Sequence, residues 1–179
     1  NNYSMHFDGN IGSYVEIPED NSLQLSQFTA MSYVYLTDIN SDQAIISKMQ
    51  NNADNEQFYC GIASGGYLHI GVKINSNCSP GNGWEMFVTS SPLSINNWYH
   101  ITYIYDQDQF LIYVDGNLFE QYNVINDGPM DYCYGGVLKF GKNWDSDPRF
   151  LNGNLDNIHL WNYPLTEPEI QDYMIYPPT

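Results

Sequence analysis

A carboxylate set among apolar residues is costly unless something answers its charge. One such residue stands near the C-terminus, in the run Asn152-Gly153-Asn154-Leu155-Asp156-Asn157-Ile158-His159-Leu160-Trp161-Asn162-Tyr163. Read as a strand, residues two apart share a face, which puts Asp156 in register with Ile158 and Leu160. With five Lys and Arg against twenty-one Asp and Glu, basic partners are scarce and a bound cation is the better match. A second chemistry is written in two loops that mix aromatic rings with amides and carboxylates. Such a mixture suits a sugar, the ring meeting its C–H face and the polar groups its hydroxyls. One loop is Asn143-Trp144-Asp145-Ser146-Asp147, rounded off by Arg149. The other is Asp131-Tyr132-Cys133-Tyr134, with Asn82 and Trp84 as neighbours. The candidate ligand-binding residues are therefore Trp144, Asp145, Asp147, Tyr132, Tyr134 and Trp84. Trp144 leads because no apolar alternation around it would bury it; its competing role is a lid over a sheet edge.

Other chemistries lack their residues. Glycoside hydrolysis needs two carboxylates about 5–9.5 Å apart across the scissile bond. No Glu-x-Asp-x-x-Glu run occurs to supply them, and Pro18 interrupts the nearest approach, Glu16 with Glu19 and Asp20. H-E-x-x-H, G-x-S-x-G and P-loop patterns are missing, and the glycine-rich Gly61–Gly66 precedes no helix. The four His, at 6, 69, 100 and 159, show no metal-like spacing; His100, beside Trp98, reads as a packed strand residue. No catalysis is expected. A formal net charge of −16 opposes binding to nucleic acid or anionic membrane, which require Lys and Arg. No apolar run approaches the roughly 18–20 residues of a membrane span.

The elements that must position these residues are short strands. Period-2 segments over 3–7, 14–17, 28–37, 43–49, 57–63, 67–74, 84–88, 98–105, 110–114, 118–122 and 137–141 alternate with turn residues, before the run containing Asp156. Gly65-Gly66 and Asp115-Gly116 mark hairpins. Thr166 as N-cap with Glu169 three residues on predicts a capping box and one short C-terminal helix, with Ile170 and Met174 on its docking face. About a dozen strands with one helix predict an all-β, antiparallel sandwich or barrel filling residues 1–176, with 177–179 as a tail or the start of a linker. Cys60 alternates with Phe58 and Ile62 and is expected as a buried free thiol. Cys78 and Cys133 sit in loop-like surroundings suited to one disulfide, which would fit an oxidising compartment.

Several segments, taken in order, carry a resemblance. Phe7-Asp8-Gly9 with Tyr14-Val15-Glu16-Ile17, Asn97-Trp98-Tyr99-His100-Ile101, Ile112-Tyr113-Val114-Asp115-Gly116, Leu138-Lys139-Phe140-Gly141 and Phe150 to Asn162 resemble the laminin-G-like, pentraxin-related branch of the concanavalin A-like lectin/glucanase superfamily. The resemblance implies a jelly-roll of two curved antiparallel sheets. It also implies a calcium ion tying the first strand to the last, through Asp8, Asp156 and a backbone carbonyl of Gly12 or its neighbours. Calcium takes six to eight oxygens, so two carboxylates with carbonyls and water suffice. The competing reading gives Asp8 a turn to cap and Asp156 nearby backbone N–H groups to accept. The functional expectation is a non-catalytic, extracellular carbohydrate-binding or adhesion module with structural calcium, binding a glycan or a cell-surface protein as part of a larger multidomain chain. The alternative is an architectural, protein-interaction domain that binds no sugar.

Overall fold

Strands with one apolar and one polar side must lay the apolar side against another layer, and this chain does so twice. The computed structural model describes residues 3–49, 56–78, 82–132, 136–144 and 148–174. In chain order its strands are β1 (Met5–Asp8), β2 (Val15–Ile17), β3 (Phe28–Leu36), β4 (Gln43–Met49), β5 (Glu56–Ala63) and β6 (Tyr67–Lys73). They continue with β7 (Trp84–Pro92), β8 (Trp98–Tyr105), β9 (Gln109–Val114), β10 (Asn117–Asn123), β11 (Leu138–Phe140) and β12 (Asn152–Trp161), followed by helix α1 (Glu167–Tyr173). One sheet, called A, runs β1-β12-β3-β8-β9-β10, and the other, B, runs β2-β11-β4-β5-β6-β7. Neighbouring strands are antiparallel throughout. This is the antiparallel jelly-roll sandwich that the sequence predicts. The expected tail, 177–179, lies outside the described residues. Among those residues no helix is long and apolar enough to cross a membrane.

Alternation decides which side chains meet between the sheets. Phe58, Cys60 and Ile62 of β5 point inward with Ile70 and Val72 of β6, against Phe28, Val34, Ile101, Tyr103 and Ile112 of sheet A. Phe28 and Phe58 face each other across the sandwich with ring centroids 4.6 Å apart. Cys60 is free and fully buried, and burial pushes its thiol pKa well up. Cys78 is held in a disulfide; its expected partner, Cys133, lies outside the described residues.

The free edges β7 and β10 are tied together. The Glu120 carboxylate accepts the Ser90 N–H at 2.8 Å, the Ser90 hydroxyl at 3.0 Å and the Ser91 N–H at 3.1 Å. Beside this clamp the Phe87 and Tyr122 rings stack, 5.2 Å apart and 8° from parallel. The outer face of sheet A is covered by α1. Its Thr166 N–H donates to the Glu169 carboxylate at 2.8 Å and the Thr166 side chain accepts the Glu169 N–H, completing the expected capping box. Ile170 and Leu165 then bury against Met31, Ile104 and Tyr113.

Strand β12 departs from simple alternation. Asp156 pairs with Tyr33 but His159 pairs with Met31, so three steps on β12 match two on β3. The extra residue is a β-bulge, and Asn157 adopts φ +49° there. A bulge reverses which face the following side chains take. Leu155 is fully buried in the core, and beyond the bulge Ile158 and Leu160 rejoin it. Asp156 faces outward with Tyr33, so the shared register with Ile158 and Leu160 expected from period 2 does not exist.

Candidate binding cleft

The outer face of sheet B is built from the outward register of β4 to β7. Cross-strand pairing sets Ser47 opposite Tyr59, Tyr59 opposite Gly71 and Gly71 opposite Met86, while Lys73 pairs with Trp84. At Gly71 the strand has no side chain, and an added Cβ would lie 3.1 Å from Met86 and 3.3 Å from the Trp84 ring. A glycine inside a strand leaves room for something to approach the backbone. Here it forms the floor of a cleft of about 450 Å³, bounded by Trp84, Tyr59, His69, Asn143, Trp144 and the Arg149–Asp42 pair.

The segment after β11 forms the opposite wall, and backbone bonds fix it to β4. Gly141 N–H donates to the Ile45 carbonyl at 3.0 Å, and Ala44 N–H donates to that of Arg149 at 2.8 Å. The Ser47 hydroxyl donates to the Lys142 carbonyl at 2.8 Å, and Lys139 Nζ to that of Asn143 at 3.2 Å. Asn143 N–H closes the segment onto the Pro148 carbonyl at 2.8 Å. These bonds account for the burial of Ser47, Lys139 and Asn143 on what would otherwise be a solvent face.

Among the described residues, charge in the cleft is arranged as pairs. Arg149 lies 3.3 Å from Asp42, and its guanidinium carbon sits 5.6 Å from the Tyr59 ring centre and 5.4 Å from that of Trp144. The Trp84 indole N–H donates to Glu56 at 2.7 Å. Tyr59 donates its hydroxyl to the Gln43 carbonyl at 2.9 Å, and burial pushes its pKa up. His69 packs edge-on to Tyr59, with centroids 4.9 Å apart. Burial, reinforced by Arg149 and opposed by Asp42, lowers its pKa to about 4, so the ring is neutral at pH 7. All five basic residues (Lys48, Lys73, Lys139, Lys142 and Arg149) belong to sheet B or to the segment lying on it.

Several polar atoms in this cleft are buried without a hydrogen-bond partner: both amide atoms of Asn143, Nδ1 of His69 and Nε1 of Trp144. Asn143 is only 1% exposed. Buried polar groups are nearly always satisfied, and orphans gathered around one cavity mark where a ligand's polar groups would go.

The structure brings together two of the sequence-derived ligand residues, Trp84 and Trp144, sixty residues apart in the chain. Asp145, Asp147 and Tyr134 lie outside the described residues. Tyr132 is elsewhere: its hydroxyl donates to Glu19 at 3.0 Å, and its ring lies 5.6 Å from Lys48 Nζ, which pairs with Glu19 at 2.8 Å. Asp42, Tyr59, His69 and Gly71 were not singled out from sequence, although Gly71 between outward-facing His69 and Lys73 is a strand-glycine signal.

The expected calcium ligands are not brought together. β1 pairs with β12 so that Asp8 faces Asn152 and Met5 faces Leu155. Asp156 therefore lies four residues further along β12, about 13 Å at a strand's rise. Two oxygens bound to one calcium lie within about 5 Å of each other. Asp8 is exposed and accepts the Asn10 N–H at 3.0 Å, while Asp156 accepts the Asn157 N–H at 2.8 Å, at the bulge. Gly12 lies in the exposed turn after β1. Each aspartate serves local backbone, and the three residues do not fit one ion. Among the described residues, no group of three or more His, Cys, Asp or Glu is placed to hold a metal.

Comparison with known proteins agrees with this architecture. No curated protein matches the sequence. The chain is similar in structure to a candidate carbohydrate-binding protein from Bacteroides ovatus ATCC 8483, with TM-score 0.68, 18% identity and 94% of this chain covered. It spans 47% of that protein. It is also similar to the CBM40 of Ruminococcus gnavus IT-sialidase bound to α2,3-sialyllactose (TM-score 0.67, 14% identity, covering 89% of this chain and 94% of that one). A heptameric SAP-like pentraxin from Limulus polyphemus matches at TM-score 0.61 and 14% identity, covering 95% of this chain and 80% of that one. At these identities the likeness shows the fold. A laminin-G family model of the concanavalin A-like lectin/glucanases superfamily matches residues 8–171, and the chain belongs to that family.

Proposed function

We propose that this chain is a non-catalytic carbohydrate-binding module and that its glycan occupies the cleft on the outer face of sheet B. The observation that carries the reading is the set of unpartnered atoms on Asn143, His69 and Trp144 around a floor of Trp84, Tyr59 and Gly71. Aromatic faces receive the C–H side of a pyranose, and the orphaned donors and acceptors receive its hydroxyls. Among the described residues the carboxylates at the cleft are already committed, Asp42 to Arg149 and Glu56 to the Trp84 indole. Those residues offer no general acid beside a nucleophile, which supports binding over hydrolysis. The carbohydrate-binding assignments of the Bacteroides and Ruminococcus neighbours support the same ligand class. The disulfide at Cys78 supports an extracellular setting.

An adhesive or architectural role through a peptide is the second reading. It is favoured by Met86 and Val88, 59% and 44% exposed, which continue the apolar rim of the cleft along β7. A glycan array probed with the 179-residue chain and its Trp144→Ala variant separates the two. Glycan binding lost in the variant supports the first reading; the absence of any glycan signal overturns it.

A further inference from the structure

Resting on the carbohydrate reading, we infer that the cleft selects an uncharged sugar through a bidentate contact between the Asn143 amide and two adjacent hydroxyls, and rejects acidic glycans. Asn143 is 1% exposed, lines the cleft, and has neither its amide oxygen nor its amide nitrogen bonded to anything. An amide presents an acceptor and a donor side by side. Two neighbouring hydroxyls of a pyranose present the complementary donor and acceptor side by side. One carboxylate or sulfate, an acceptor at every oxygen, would satisfy the amide nitrogen and leave the amide oxygen facing like charge.

The charges around the amide point the same way. Arg149 is the chain's sole guanidinium, and Asp42 already stands 3.3 Å from it in the same cleft. Lys139 is 1% exposed and donates to the Asn143 carbonyl, and Lys73 is fully buried; neither lines the cavity. His69 faces the cavity as a neutral ring. A chain of formal charge −16 repels anions at long range, and an anion entering the cleft would be desolvated without an uncommitted cation to receive it.

The test is an array of matched glycans, each galactose-terminated, glucose-terminated or mannose-terminated structure displayed with and without sialic acid, uronate or sulfate. The full chain is expected to bind neutral members at least tenfold more strongly than their acidic counterparts. Asp42→Asn, which removes the carboxylate 3.3 Å from Arg149, should narrow that gap. Asn143→Ala should lower neutral binding tenfold or more. Asn143→Asp, which keeps the side-chain shape but removes the donor, should do the same, with a thermal melt verifying that each variant folds. Equal or stronger binding of acidic members by the unaltered chain overturns the inference and leaves the carbohydrate reading standing. Neutral binding that survives both Asn143 variants overturns the amide's role. Binding to no glycan at all overturns the carbohydrate reading, and the inference falls with it.

Discussion

The two outer faces of this sandwich carry the same pair of residues with different covers. On sheet A, His100 packs edge-on to Tyr33 at 4.9 Å and 67°; on sheet B, His69 packs edge-on to Tyr59 at 4.9 Å and 65°. Each histidine has a buried Nδ1 with no hydrogen-bond partner, and each pKa is lowered to about 4, chiefly by burial. The Tyr33 hydroxyl donates to the carbonyl of Met174, just past α1, so the chain itself seals sheet A. The Tyr59 hydroxyl is held by its own sheet, and above it lies a cleft. The contrast separates a face finished by folding from one left for a foreign occupant.

The largest effect that would test this contrast comes from the seal. Ile170→Ala removes a fully buried side chain under α1 and should cost about 3 kcal/mol, a drop in Tm of roughly 6–12 °C by calorimetry. Glycan affinity should be unchanged below that Tm; a parallel loss would mean that the two faces are coupled. Acid should act on both. Each histidine is neutral when folded down to about pH 4 but takes a proton near pH 6.5 when unfolded. The unfolded state therefore binds more protons in that window, and stability should fall as pH drops from 6.5 to 4. The loss is up to roughly 3 kcal/mol for each ring, from a shift of about 2.5 pKa units. His100→Gln should flatten the pH profile without altering binding. His69→Gln should flatten it and weaken binding; identical behaviour of the two variants would erase the distinction.

Trp144→Ala should reduce glycan affinity tenfold or more, about 1.4 kcal/mol, with a smaller change in Tm than Ile170→Ala. Unchanged affinity in a titration would remove the open face from consideration as a site. The smallest expected effect belongs to the double variant Asp8→Asn, Asp156→Asn. Each residue bonds exposed local backbone, so the Tm should fall by an amount equivalent to less than about 1 kcal/mol, equally with calcium and with chelator. A difference between those two melts would show that the pair meets a metal after all.

Much of the fold was legible because alternation and turn chemistry are local. Phe58, Cys60 and Ile62 announce the inward face of β5, Asp115-Gly116 turns where expected with both residues at positive φ, and the Thr166–Glu169 box starts α1. The failure at Asp156 has a local cause of a different kind: period 2 assumes an unbroken ladder, and one residue at Asn157 reverses everything after it. The candidate site was legible only in part. Trp144 stood out through its polar neighbours, whereas Trp84 was expected beside the Tyr132 loop and lines the cleft with Trp144 instead. Asp42, Tyr59 and His69 meet through pairings across β4, β5 and β6, which the order of residues along the chain does not display.

The carboxylate of Glu120 has a bearing on how tightly this domain can hold anything. Strand β7, which carries Trp84 and Met86, would be a loose outermost ribbon if only β6 held it. Stapled across to β10 at Ser90 and Ser91, it stands in place before a guest arrives. Little motional freedom is left for a sugar to quench on that side, so more of the contact energy reaches the affinity.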